Sequence, residues 1–251
     1  MSSQDLNTQL HNAIDIRLDP DLLNERPIPF TANWFSVSRE DSIELLSQLT
    51  RTLVDRGNDT PWPLQHEALA LRSTPLPFYE DAILIDTVLR HRIGWIGHTS
   101  FIVFNNRLVQ LTHNSIEIHE INHDQSPNFE TADNVSLYLK FFCWIVCGNE
   151  GPFSIVDEKE RLERHLNEDA KTALEGFFTP LAPVANPGLD KKGHWNIAAP
   201  IYYNQTAFQA GFDVHPNGLV EMLTDDEIFD FGPDTASWQF ESHIRYFRKD
   251  D

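Results

Sequence analysis

Between residues 82 and 121 the chain reads as a run of strands joined by turns too short for any other arrangement. "AILIDTVL" is apolar and β-branched, and "SFIVF" and "RLVQL" stand on either side of Asn105-Asn106. A two-residue connection cannot carry the crossover that a parallel strand needs. Asparagine, by contrast, tolerates the positive φ of a tight hairpin turn. This pair of strands therefore commits its surroundings to an antiparallel sheet. After the break "THN", the stretch "SIEIHEI" alternates, Ile116 and Ile118 to one side and Glu117 and His119 to the other, so its spacing predicts a third strand of the same meander.

Helices flank this meander. Ser38 and Asp41 form a capping-box-like pair ahead of Ile43, Leu46, Leu49, Leu53 and Val54 at helical spacing, with Gly57 placed to stop the helix. "DNVSLYLKFFCWIVCG" is apolar on most sides, opens on Asp133 or Asn134 and ends at Gly148, as a helix packed centrally on a sheet should. A charged helix over 157–176 buries the narrow stripe Leu162, Leu166, Ala170 and Leu174. Beyond it, "WNIAAPIYYN" and "TAFQAGFDV" precede His215-Pro216-Asn217-Gly218 and "LVEML", a second set of strands with an Asn-Gly hairpin turn. The expected class is α+β: antiparallel meanders over about 82–121 and 194–224, packed with helices over about 39–56, 133–147 and 157–176. The Pro- and Gly-rich stretch 179–193 is the candidate linker. It would separate an α+β domain, 1–178, from a C-terminal hairpin region with an acidic, aromatic tail, 194–251, unless both belong to one fold.

Net charge limits what such a chain can bind. With 19 Lys and Arg against 38 Asp and Glu, the net charge is −19, which opposes direct contact with nucleic acid or anionic lipid. Residues 193–244 contain no Lys or Arg but carry eight acids, among them Asp213, Glu221 and Asp225. Cys143 and Cys147 lie one helical turn apart among Phe, Trp and Ile, as core residues do, and suit a reducing cytoplasm better than a secreted disulfide framework. No stretch has the length of apolar residues that a membrane span requires, and the first residues have no signal-peptide pattern.

One motif suggests catalysis. His119-Glu120-Ile121-Asn122-His123 spells H-E-x-x-H, which on a helix sets two zinc ligands, His119 and His123, around a general base, Glu120. On a strand the two histidines would be about 13 Å apart. Zinc bonds of about 2.1 Å require far closer convergence. The period-two alternation and the breakers Asp124 to Pro127 favour the strand, and the sequence marks no third ligand. His98, His113 and His119 could still approach one another across the meander. Asp86 with Glu117 is a weaker carboxylate pair. Nucleophile elbows and phosphate-binding glycine patterns are missing.

The stretch "DDEIFDFGPDTASWQFESHIRYF" supplies the other candidate. Its aromatics are expected to pack on the second set of strands, or else to dock a partner. Asp225, Asp226, Glu227, Phe229, Asp230, Phe231 and Trp238 combine aromatic anchors with carboxylates that would steer a basic protein. The leading expectation is a soluble, cytoplasmic regulatory, inhibitory or assembly component that binds a basic macromolecule and needs no cofactor. The alternative is a zinc-dependent hydrolase built on 119–123.

Overall fold

The computed structural model describes residues 32–55, 62–64, 67–90, 96–105, 107–156, 172, 182–183, 192–230, 236–241 and 243–249. Strand β1 (Phe35–Ser36) leads into helix α1 (Arg39–Asp55), then β2 (Glu67–Pro75), β3 (Ile83–Arg90), β4 (Ile96–Phe104) and β5 (Arg107–Gln110). Helices α2 (Ile116–Asp124) and α3 (Ala132–Ile145) follow, with the short strands β6 (Cys147–Gly148), β7 (Gly151–Pro152), β8 (Ser154–Ile155) and β9 (Ala182–Pro183). The remainder is β10 (Trp195–Tyr203), β11 (Thr206–Val214), β12 (Val220–Asp230), β13 (Ala236–Glu241) and β14 (Ile244–Lys249). The fold is α+β with antiparallel sheets. Apart from Thr172, Ala182–Pro183 and 192–193, the expected helix 157–176 and the linker candidate 179–193 lie outside the described residues, as do Gly57 and Phe231.

The first sheet runs β1-β2-β3-β4-β14-β13, with β5 also paired to β4. The hairpin at 105–106 forms as expected: Phe104 pairs with Arg107, and Asn105 takes φ 46°. Strand β3 is buried on both faces along Leu84 to Leu89, which is why it reads as a continuous apolar run rather than an alternating one. Helix α1 covers one face with Leu46, Leu49 and Leu53 against Leu71, Ile85, Leu89 and Phe101. Its start is the capping pair read from the sequence: the Ser38 hydroxyl accepts from the Asp41 backbone N–H at 3.1 Å and donates to the Asp41 carboxylate at 2.7 Å.

The second sheet runs β12-β11-β10-β8, with β9 also paired to β10. Its β10–β11 turn is Asn204-Gln205, both at positive φ (47° and 65°), a two-residue turn whose twist matches the strands it joins. Helices α2 and α3 lie between the sheets. One apolar cluster joins Leu84, Ile102 and Phe104 of the first sheet, Ile118, Tyr138 and Trp144 of the helices, and Ile197, Ala199 and Phe212 of the second sheet. Contrary to the expectation from its aromatics, the C-terminal hairpin does not join the second set of strands. Instead β14 pairs with β4, and β13 pairs with β14, so residues 194–251 contribute to both sheets.

Three further expectations are corrected. Residues 116–124 are helical, so the first meander ends at Gln110 and not at 121. The alternation of Ile116 and Ile118 is incidental: Ile116 is 59% exposed, whereas Ile118, Ile121 and Asn122 form the buried side at helical spacing. The "THN" break starts the helix, because the Asn114 side chain accepts from the Ile116 N–H at 2.8 Å and Glu117 accepts from the Thr112 hydroxyl at 2.7 Å. Helix α3 is capped by Thr131, which accepts from Asn134 N–H at 3.2 Å, rather than by Asp133 or Asn134. The acidic residues 225–230 lie on β12, which runs on to Asp230, and not in a tail beyond a strand ending at 224.

Candidate functional site

The H-E-x-x-H motif is on a helix, which removes the backbone objection to it, and its side chains differ in their surroundings. His123 is 91% exposed beside Asp124, Glu120 is exposed, and His119 lies against Phe142 with ring centroids 6.2 Å apart. Among the described residues no third ligand joins the two histidines. The motif's buried member is Asn122. Its carbonyl accepts from the Tyr79 hydroxyl, its amide donates to Tyr138 Oη at 2.8 Å, and Tyr138 donates to the Gly218 carbonyl at 2.6 Å. This chain of hydrogen bonds holds the turn between β11 and β12 against both central helices.

His98, His113 and His119 are not brought together either. His98 is buried on β4 in a polar ladder that crosses the first sheet. Arg72, Asp86 and Ser100 stand opposite one another on β2, β3 and β4, and Arg245 on β14 faces His98. Arg72 donates twice to Asp86 Oδ2, at 3.0 and 2.7 Å, and Ser100 donates to Asp86 Oδ1 at 3.0 Å. Arg245 donates to the Trp144 carbonyl at 2.6 Å and stacks over the Trp144 ring at 4.2 Å. Burial alone would raise the Asp86 carboxyl, but Arg72, with His98 and Arg245, holds it well below the usual carboxylate range. The gap beside Ser100, Thr112, His113 and Arg245 has no room for a water molecule. The ladder is therefore structural. Asp86 and Glu117, the carboxylate pair read from the sequence, have separate partners.

The ladder has a consequence for pH dependence. Burial lowers His98 despite Asp86, and burial with the nearby Arg245 cation lowers His113 to about 3. Both rings are then neutral in the folded chain, whereas unfolded histidine takes up a proton below about pH 6.5. Stability is full above that pH and falls as pH drops towards 3, at about 1.4 kcal/mol per pH unit for each histidine involved. Urea unfolding from pH 7 to 4 should show this slope, and His113→Gln should flatten it relative to the wild type. An unchanged slope in that variant would count against a half-buried, neutral His113.

The open features of the molecule lie at the far edge of the second sheet. Strand β12 is exposed from Glu221 to Glu227 on both faces, and its outer edge has no partner strand among the described residues. Asp225, Asp226, Glu227 and Asp230 are exposed along it, Phe229 is half-buried, and Trp238 lies on β13 of the other sheet. Met222 and Leu223, which the sequence did not mark, are 46% and 60% exposed on the same strand.

At the start of β12 four ionisable side chains meet. His194 directly precedes β10, Asp213 is on β11, His215 directly follows β11, and Glu221 pairs with Asp213 across the hairpin. The register that sets Asn196 opposite Asp213 brings His194 to the same end. His194 Nδ1 is 2.8 Å from Asp213 Oδ2, and His215 Nε2 is 2.7 Å from Glu221 Oε2 and 3.7 Å from Asp213 Oδ2. The two imidazoles stack with centroids 3.8 Å apart. The His215 backbone closes the turn, donating to Leu219 O and accepting from Gly218 N–H, both at 2.9 Å. Sequence reasoning saw His215 as a turn residue only. The single local signal was Asp213-x-His215, two residues on one side of a strand, and His194 joins them only through strand register.

Nothing in the helices bears on membranes: no described helix is long and apolar enough to cross one. No family model, curated protein or solved structure matches the chain, so its function is read from the chemistry of this sheet edge.

Proposed function

We propose that the chain is an acidic binding component, of a regulatory or assembly kind, that captures a basic, extended segment of another protein along the open edge of β12. The observation that carries this reading is the combination on one edge strand of four carboxylates (Asp225, Asp226, Glu227 and Asp230) with the exposed apolar side chains of Met222 and Leu223. An open edge offers a row of backbone donors and acceptors that an added strand can use. Charges on an edge normally block such pairing. Here the block is selective: a second copy would set acids against acids, whereas a Lys- or Arg-bearing strand would meet complementary charge. Protection by charge alone has no use for Met222 and Leu223, which supply apolar contact once a partner strand is seated. With no Lys or Arg between 193 and 244, this side of the molecule repels nucleic acid and attracts cationic protein.

A labelled ten-residue peptide of alternating Lys and Val tests the reading by fluorescence anisotropy. The expected result is saturable binding that weakens about tenfold or more between 50 and 300 mM salt, as screening shortens the reach of the carboxylates. Asp226→Lys combined with Glu227→Lys should abolish it. Binding equally well to a proline-interrupted version of the peptide, or indifferent to salt, would sink the proposal.

A further inference from the structure

We propose that His194, Asp213, His215 and Glu221 form a site for one divalent transition metal of the zinc class. The inference stands apart from partner capture at the β12 edge and fails or holds separately from it. Ligand atoms of His194, Asp213 and His215 all lie within 4.8 Å of one another. Zinc with bonds of about 2.1 Å spaces tetrahedral ligands roughly 3.4 Å apart. The two distances from Asp213 Oδ2, 2.8 Å to His194 Nδ1 and 3.7 Å to His215 Nε2, fall on either side of that spacing. Shifts of well under an ångström would bring each histidine nitrogen to tetrahedral spacing from Asp213 Oδ2, and the two stacked rings would turn apart to face one ion. Glu221 is already beside His215 Nε2 and is 52% exposed, so it can swing to complete the set.

Two nitrogen and two oxygen donors suit zinc, and imidazole with carboxylate also accepts iron or manganese, so the chemistry fixes a class of metal rather than one ion. A hydrogen-bonded cluster with no metal leaves Asp213 Oδ1 buried with no hydrogen-bond donor among the described residues, a cost for a carboxylate oxygen that bidentate coordination by Asp213 would remove. Held there, the ion would tie the residue before β10 to both arms of the β11–β12 hairpin.

The full-length chain, stripped with chelator, would be titrated with Zn2+ by calorimetry and with Co2+ by visible absorbance. The expected result is one equivalent bound, with affinity reduced about 100-fold or more by His194→Ala or His215→Ala. His119→Ala with His123→Ala should leave it unchanged. Should the alanine variants not fold, His215→Gln and selective Co2+ broadening of the His194 and His215 ring signals in the wild type give the same decision. Absence of saturable binding overturns the site. So does binding that survives loss of His194 and His215 or that depends on His119 and His123.

Discussion

Asp86→Ala will lower the stability of this protein by about 3–5 kcal/mol, because it removes the one carboxylate that balances the guanidinium groups buried with it. Asp86 is fully enclosed; Arg72 and Arg245 are 4% and 2% exposed. Arg72 directs two hydrogen bonds at Asp86, so truncation leaves a desolvated cation facing an empty space. Arg245 keeps the Trp144 carbonyl and ring, but loses the nearby countercharge. Against a typical total of about 5–15 kcal/mol, this is enough to unfold a marginal domain near physiological temperature. The ladder is not thereby a source of net stability. Asp86→Leu with Arg72→Met removes both charges, and the pair should be less destabilising than the sum of its parts by about 1–3 kcal/mol. Urea unfolding of the single and double variants measures both quantities. A cost below about 1 kcal/mol for Asp86→Ala, or simple additivity, would contradict the role assigned to the ladder.

Gly218→Ala is the second large effect, expected at about 2–4 kcal/mol, and it has two sources. The residue takes φ +81°, where a Cβ costs about 1–2 kcal/mol. That Cβ would also be driven into the Asn122 amide and the Tyr138 hydroxyl. Relief requires the turn to withdraw, which breaks the Tyr138-to-Gly218 hydrogen bond and strands a buried hydroxyl. If this account is right, Tyr138→Phe removes part of the clash, so Gly218→Ala should be milder in that background than in the wild type. Equal effects in both backgrounds would mean that backbone strain alone explains the loss.

Local chemistry made some of this architecture legible in the sequence. Asn105-Asn106 specified a hairpin because a two-residue loop with positive φ leaves the chain no other route. Ser38 and Asp41 specified a helix start because their groups satisfy each other within one turn. "ILIDTVL" specified a strand covered on both sides, although its Asp86 gave no hint of the arginines that neutralise it, one 14 residues earlier and the other at 245. Where the sequence misled, a short pattern fitted two periods. Ile116 and Ile118 fit an alternating strand, whereas Ile118, Ile121 and Asn122 fit the buried side of a nine-residue helix, with Asn122 enclosed between Tyr79 and Tyr138.

By itself the sequence determined the α+β class, and the acidity of residues 193–244 and their want of Lys and Arg, since these follow from residue type and near-neighbour spacing. The tertiary structure alone decided where chemistry gathers. H-E-x-x-H lies on one helix, but its members face different surroundings, with His123 turned to solvent and Asn122 inside. His194, Asp213, His215 and Glu221 span 28 residues and spell no motif, yet they meet because β10, β11 and β12 share a register that puts their ends side by side. Hydrogen-bonded pairing converts distance along the chain into adjacency, and that register is set by which face of the sheet the core buries, not by the ligands themselves.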